Sequence, residues 1–468
     1  MAHHFANEIP PRLLMWQRVR EYAVPPSMIE TATARRAVGD WAGACAAARV
    51  DVDFDLRAVG RRHGTELATR LRADLRRLAP DLLRWHMPRS APDGLLRPGL
   101  TVCLARYPRS GDAPLLLVVR TPPSWADAGQ RMSLALWDGS DGHAGSGGSN
   151  GSGHHPHPHP DRRFRLDLHR HLWDAGRSAD LRWRSAAGGE SPWAVARWAA
   201  EAELLLRAEG QGPRGAFSVR LGAGARSSAV YELVAPDDSH VPALREVRTP
   251  QNGIAALPVL PEASARVLPD LELLNTGLVT SGRLHPLVAA ALAAPVADSA
   301  LVAETESDDP HRVECRGEVH RIALRDGVLT AVDHDPDQLS REELLVALGG
   351  PPLACLRAID AVHRSPEALP AVRERLGHGD VAGALAVVEG LLGTGAVLRD
   401  GPLREALESA VARRIDHGLF RSGLLSVHPA AGAAGYSEWE SRPDLRSLPA
   451  ALRRKRGSRT RPRNALSG

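Results

Sequence analysis

An α+β fold is predicted for this chain, with a helical N-terminal region, a β-rich central region and a helical C-terminal region. Three observations carry the prediction. Within residues 65–84, Leu67, Leu71, Leu75, Leu78 and Leu82 recur at three- and four-residue steps, which lines them up as one apolar stripe on a helix. Residues 100–106, 115–120 and 132–137 are short apolar runs bounded by Pro, Gly and Asp, the punctuation of strands joined by turns. From Ser340 onward, leucines return at helical spacing.

The elements follow in order. Residues 12–88 read as helical; 27–49 are alanine-rich, and Pro88 with the Pro92-Asp93-Gly94 turn closes the region. Residues 139–160 run from Gly, Ser and Asn into His154-His155-Pro156-His157-Pro158-His159, a composition that cannot bury a core and marks a flexible insert. Strand pattern resumes directly: Phe164, Leu166 and Leu168 alternate with Arg165, Asp167 and His169. Residues 181–184 read as a further strand, and 217–221 and 230–234 likewise. Between them, 192–209 reads as a helix with Trp193, Ala196, Ala200 and Leu204 on one side. Residues 235–300 are rich in Pro and Ala and give no clear pattern. The strongest hairpin signal joins 320–324 to 328–332 through Asp326-Gly327, a pair that tolerates the positive φ of a two-residue turn.

Beyond the hairpin, Ser340 and Glu343 have capping-box spacing, and Ser365-Pro366 reads as a cap followed by proline at the first helical position. Leu344, Leu345, Leu348, Leu353, Leu356, Ile359, Val362, Leu385, Val388 and Leu392 are expected to supply core faces, with 402–414 as one more amphipathic helix. Past about residue 425, Gly, Ser, Pro and Arg dominate and disorder is expected. The expected regions are thus 12–90 (helical), 98–335 (β-rich, with the insert), 338–425 (helical) and 426–468 (basic tail).

Composition narrows the function. The 468 residues are 43% hydrophobic and 24% charged, a globular mix with room for two to four domains at about 100–200 residues each. No apolar run reaches the roughly 18–20 residues of a membrane span. Lys and Arg number 59 against 55 Asp and Glu, a net charge of +4. Seven of the positive charges (Arg453, Arg454, Lys455, Arg456, Arg459, Arg461, Arg463) crowd the last 16 positions without one acid, so the rest carries −3. A body-wide basic surface for nucleic acid is not indicated, and attraction to phosphates falls to the tail, Arg453, Arg454, Lys455 and Arg456 first. Lys455 is the only lysine, which excludes a phosphate-binding loop ending in Gly-Lys-Ser/Thr and makes a lysine Schiff base equally untenable. Cys45, Cys103, Cys315 and Cys355 are far apart and form no C-x-x-C, which argues for a reducing compartment and against both a disulfide framework and a thiolate zinc site. No basic stretch followed by an apolar one opens the chain, so no secretory signal is read and a cytoplasmic protein is expected, with residues 1–14 a loose extension or an upstream start before Met15.

One internal similarity stands out. Gly39-Asp40-Trp41-Ala42-Gly43-Ala44-Cys45-Ala46 is echoed by Gly379-Asp380-Val381-Ala382-Gly383-Ala384-Leu385-Ala386. Glycine can end a helix in the left-handed conformation, Asp can cap the next one, and small residues let two helices approach, so each copy reads as a helical hairpin. Only two copies occur, so no superhelix is implied.

Of the chemistry-bearing clusters, the sharpest is Asp167, His169 and His171, with Asp174 close by. On a strand the first three share one face, and a His-x-His pair so placed can ligate zinc or another divalent metal. No third histidine of matched spacing accompanies them, and the same pattern describes a solvated strand face. The histidines of 154–159 can bind metal ions but lack a second shell to fix geometry. Asp51, Asp53 and Asp55, and likewise Asp333, Asp335 and Asp337, lack the glycine and glutamate of a calcium loop and read as helix caps. Residues 147–151 match the letters of a nucleophile elbow, and 210–215 those of a dinucleotide fingerprint, each without the required strand and helix around it. Ten tryptophans, against five Phe and four Tyr, read as core fillers or, where exposed, as a partner surface.

Trp16-Gln17-Arg18-Val19-Arg20, residues 78–86 and residues 344–352 resemble an uncharacterised protein family of high-GC actinobacteria. The likeness covers much of the chain apart from the insert and tail. It implies no functional residue, but it suggests as a partner a MoxR-type ATPase or a von Willebrand factor A type protein. The expected function is a cytoplasmic non-enzymatic interaction protein, a scaffold or adaptor without cofactor. A metal-dependent hydrolase using Asp167, His169 and His171 is the alternative, and a nucleic-acid-associated regulator acting through the tail is a second.

Overall fold

The computed structural model describes residues 9–109, 113–126, 128–139, 159–185, 191–212, 215–222, 228–234, 243–247, 254, 256–293 and 312–422. Nearly all of the insert lies outside the described residues, as do the nucleophile-elbow letters and the tail with Arg453, Arg454, Lys455 and Arg456. The fold is α+β, with helices towards both ends and sheets between. The chain divides into two compact units: residues up to 127, 131–294 and from 419 onward form one, and 128–130 with 295–418 form the other. This differs from the regions expected above. The N-terminal helices share a core with the central sheet, and the strands of 312–331 belong with the C-terminal helices.

The first unit opens with α1 (Pro11–Tyr22) and α2 (Pro26–Ala37), each begun by a proline, whose missing N–H would be unsatisfied there anyway. Then come α3 (Trp41–Ala47), β1 (Val50–Val52), α4 (Leu56–His63), α5 (Thr65–Arg77) and α6 (Pro80–His86). All five leucines of the predicted stripe are buried. The helix is nevertheless interrupted at Leu78 and Ala79, both extended, because a residue before proline avoids the helical region. After the two-residue strands β2 (Arg89–Ser90) and β3 (Leu95–Leu96), a four-stranded sheet is built from β4 (Thr101–Tyr107), β5 (Leu115–Arg120) and β6 (Met132–Trp137) with β1. Its order is β1-β6-β5-β4, with β1 parallel to β6 and the other pairs antiparallel. Leu115, Leu117 and Val119 face the main core with Leu71, Leu75 and Trp85, while Leu116 and Val118 meet Cys103 and Ala135 on the other face. That two-sided burial is why β5 is apolar at consecutive positions rather than alternate ones.

Beyond the sheet, three expectations fail. Residues 164–169 are not a strand: after a lone bridge from Arg165 to Cys103 the chain turns, with N–H groups of Leu168 and His169 donating to Arg165 and Leu166 carbonyls. It then enters the short 3-10 turn Arg170–Leu172. Residues 181–184 are a helical turn, α7 (Leu181–Arg184). In α8 (Val195–Ala208) the buried face is Trp198, Glu201, Ala202, Leu205 and Leu206, packed on Phe217, Val219 and Leu233, while Leu204 is exposed. These partners come from the antiparallel sheet β7 (Gly215–Arg220), β8 (Ser228–Val234) and β9 (Ala243–Val247). Three short helices complete the unit: α9 (Glu262–Ala265), α10 (Pro269–Asn275) and α11 (Pro286–Leu292).

The second unit is a three-stranded antiparallel meander, β10 (Arg312–Cys315), β11 (Glu318–Arg325) and β12 (Val328–Ala331), followed by helices. The predicted hairpin is present, with Asp326 at φ 51° and Gly327 at φ 80° between the facing residues Arg325 and Val328. A second two-residue turn of the same kind, Arg316 (φ 56°) and Gly317 (φ 83°), joins β10 to β11. Next is α12 (Pro336–Ala347), capped by Asp335; Ser340 lies inside this helix with its hydroxyl donating to the Pro336 carbonyl, so no capping box forms. The remaining helices are α13 (Ala354–Arg364), α14 (Leu369–Gly377), α15 (Val381–Leu392) and α16 (Pro402–Arg421). Ser365 ends α13 instead of starting its successor. Leu356, Ile359, Val388 and Leu392 join the core with Ile322, Leu329, Val372 and Leu376, as expected for the first four. Leu344, Leu345 and Leu348 do not: they are 63%, 47% and 79% exposed, and α12 has no buried residue. Leu385 is exposed as well.

The repeated segment builds the same corner in each unit. Gly39 and Gly379 take φ 76° and 79° on leaving α2 and α14. Asp40 then caps α3 by accepting from the Gly43 N–H at 2.8 Å, and Asp380 caps α15 by accepting from the Gly383 N–H at 3.2 Å. Each carboxylate also pairs with an arginine five residues earlier, Arg35 at 3.3 Å and Arg375 at 2.9 Å.

Candidate metal centre

Three turns of local chemistry bring Cys315, His334 and Cys355 together in the second unit. Cys315 is the last residue of β10, and the left-handed pair Arg316-Gly317 folds β11 back beside it. His334 lies just beyond β12, where the Arg321 N–H donates to the Asp333 carboxylate and the His334 N–H to the Ala331 carbonyl. Cys355 sits in the first turn of α13, after Leu353. Among the described residues, these three are the group of His, Cys, Asp or Glu side chains whose ligand atoms gather closely enough to share an ion, all within 4.8 Å of one another.

All three are buried, with Ala331, Val313, Leu339, Leu353 and Ala354 packed about the two thiols. Burial and the neighbouring Cys315 push the Cys355 thiol up to about 11. Burial, then His320 and Arg316, hold His334 below the usual imidazole range, which keeps it neutral. Its Nε2 is buried without a hydrogen-bond partner. A second imidazole adjoins it: His320 pairs with Val313 across the β10–β11 ladder, and so shares the face that carries Cys315. The His320 ring stacks on that of His334, centroids 4.1 Å apart, and its Nδ1 is also without a partner. Two thiols and an imidazole are the donor set of a divalent, borderline-soft ion such as zinc.

Wide spacing in the sequence does not keep two of the four thiols apart, contrary to the expectation from the missing C-x-x-C. Cys315 and Cys355 are remote in sequence, but a hairpin and a helix start bring them side by side. Cys45 and Cys103 are buried elsewhere, and burial pushes Cys45 up to about 12.

The residues singled out from the sequence are placed differently. Asp167 accepts both Nε and Nη2 of Arg165 at 2.8 Å, so each carboxylate oxygen is occupied. His169 is buried with Nδ1 2.9 Å from the Arg165 carbonyl; its Nε2 lies 3.3 Å from Glu201 Oε2, within ion-pair distance but without an aligned hydrogen bond. The His171 ring meets His169 edge-on at 5.8 Å. Burial first, then His169 and Arg184, hold His171 well below the usual range. Glu201 is the centre of this group: Arg184 donates to both of its oxygens at 2.7 and 2.6 Å, and Arg197 to one at 3.2 Å. Despite burial, His169 and Arg184 hold the Glu201 carboxyl far below its ordinary value. Asp174 caps the turn that follows it and accepts from Arg170. The strand face that would have presented Asp167, His169 and His171 to one ion is not formed, and the three are not gathered as ligands.

Other candidates resolve into structure. Asp55 and Asp335 cap helices as expected, whereas Asp51 forms a two-point pair with Arg131 and Asp333 serves the hairpin. Trp85, Trp173 and Trp198 are core residues, and Trp183 is exposed. Within the first unit, a cavity of about 360 Å³ is lined by Arg20, Trp85, Ile29 and Leu278 among others. The Arg20 guanidinium at its edge is already held by Asp270 at 2.7 Å, which also accepts from the Trp85 indole.

No family model, curated protein or solved structure matches the chain. No helix among the described residues is long and apolar enough to cross a membrane.

Proposed function

We propose that this chain is a non-enzymatic interaction protein of the cytoplasm, a scaffold or adaptor that docks another protein on α12. One observation carries the reading. Leu344 and Leu345 on α12 and Leu348 directly after it lie at i, i+1 and i+4, all three exposed beside a helix of which no residue is buried, so their side chains meet water. Three leucines on a short helix turn are the pattern of a helix laid into a partner's groove. Leaving one such leucine in water instead of burying it forgoes about 1.5–3 kcal/mol, which makes a covering partner favourable. The partner class to try first is the one suggested by the resemblance above, an ATPase or a von Willebrand factor A type protein.

The test is co-purification with the full chain from native lysate, beside L344E/L348E. Under the proposal a stoichiometric ATPase or von Willebrand factor A type protein stays with the parent chain and is lost from the double variant, while the melting temperatures agree. Equal retention by both chains, or no stoichiometric partner with the parent, defeats it.

A further inference from the structure

We propose that Cys315, His334 and Cys355 form a zinc site that clasps β10, the segment after β12 and the start of α13. Three observations converge on it. The ligand atoms of three residues from three separate elements lie within 4.8 Å of one another. His334 is 8% exposed, and its buried Nε2 has no hydrogen-bond partner, an arrangement that is costly unless the nitrogen has a ligand. The stacked His320 leaves a second buried nitrogen without a partner beside the same group.

The donor chemistry selects the ion. No carboxylate belongs to the set, which disfavours calcium and magnesium. On binding, the two thiols release two protons, each sulfur donates an electron pair, and neutral His334 donates its lone pair. The charge of a divalent ion is then balanced by two thiolates, so the buried centre is neutral. A monovalent copper ion on the same ligands would leave a buried negative charge, which burial penalises. Three protein ligands leave one tetrahedral position, and His320, stacked on His334, is a further nitrogen donor on the same sheet face.

Cobalt titration of the reduced full chain, with zinc as competitor, tests the site. Cobalt held by thiolates shows a thiolate-to-metal charge-transfer absorption that the histidines of residues 154–159 cannot produce, so the insert does not confuse the readout. The expected result is one such site per chain, displaced by zinc, with C315S, C355S and H334A each weakening binding by on the order of 100-fold or more. C45S and C103S should leave it unchanged. Because the ligand variants can also misfold, alkylation of the unmodified chain supplies the second measurement. Zinc should slow modification of Cys315 and Cys355 together, and a chelator should restore it. No charge-transfer band, a band that survives both C315S and C355S, or alkylation indifferent to zinc overturns the proposal. A reduced chain whose only change on standing is a Cys315–Cys355 disulfide, with no cobalt uptake after reduction, overturns it as well.

Discussion

Among the described residues, the histidine clusters around His169 and His334, one in each unit, are built on opposite principles. Around His169 the charges are paired: Glu201 takes three N–H bonds from Arg184 and Arg197, and its Oε2 stands 3.3 Å from His169 Nε2, which is buried beside this carboxylate without an aligned hydrogen bond. Around His334 two thiols and two imidazoles gather with no carboxylate in the set, and ring nitrogens of both His334 and His320 lack a hydrogen-bond partner. A closed charge network holds structure in place. A converging set of soft donors with surplus lone pairs is a place for something else to bind. The sequence features the two in reverse order of interest, because His-x-His draws the eye and three isolated residues do not.

The largest effect expected from breaking this contrast is in the closed cluster. E201A removes the shared carboxylate and leaves Arg184, Arg197 and buried His169 facing one another. Removing one partner of a buried pair costs about 3–5 kcal/mol, and partial solvent access at the two arginines places this case near 3. Urea denaturation should show it as a lower midpoint at unchanged slope. A loss under 1 kcal/mol would mean that the network is ornamental. The open cluster should respond to a ligand instead. At free zinc one hundred times its dissociation constant, linkage adds about 2.7 kcal/mol to the second unit. Hydrogen exchange in peptides spanning residues 312–364 should slow accordingly, and C355S should show no slowing; equal protection in both chains contradicts the contrast.

The α+β class was legible because its signals are local. The leucine stripe of α5 and α6, the Asp326-Gly327 turn and the apolar run of β5 each depend on residues a few positions apart. The metal centre was not legible, because Cys315, His334 and Cys355 meet only through strand register and the placement of α13. The one available signal was Arg316-Gly317 directly after Cys315, a two-residue turn that marks a cysteine at a hairpin end. The error at 164–169 has the same origin in reverse. Apolar alternation was real, and Phe164 and Leu166 are buried, but turn hydrogen bonds and the Arg165–Asp167 pair hold the segment out of a ladder. Leu344, Leu345 and Leu348 have a helical period that states which side they share, not whether anything covers it.

A pH titration sharpens the contrast from the side of the closed cluster. His171 is surrounded by His169, Arg184 and His86, with Glu201 the opposing charge, and its folded-state value lies well below that of a free histidine. The unfolded chain therefore takes up a proton near pH 6.5 that the folded one refuses. Stability should fall as pH drops below about 6.5, by as much as about 1.4 kcal/mol per pH unit for one such proton, and H171Q should flatten that dependence. Glu201 acts at lower pH: its carboxylate is stabilised by folding, so its contribution is present above the unfolded carboxyl range and lost only on further acidification. A chain whose stability is flat from pH 7 to pH 5 would show that His171 is not held neutral by its surroundings.

The smallest effects are expected at the corner that each unit builds for itself. In both copies the capping carboxylate leans over the glycine three residues on, so that a Cβ at Gly43 or Gly383 would lie 2.1 or 2.2 Å from its oxygen. Aspartate as cap and glycine at the third helical position are thus one device, written twice. D40A and D380A should each cost about 1 kcal/mol, the ordinary loss of a helix cap. The second corner has the more buried carboxylate and the shorter arginine pair, so D380A should exceed D40A. G43A and G383A should cost as much as the aspartate variants and not add to them, since either change expels the carboxylate from its N–H. Double variants D40A/G43A and D380A/G383A, measured by chemical denaturation, decide the matter. Full additivity in either would separate the glycine from the cap and leave the resemblance between the two corners one of letters alone.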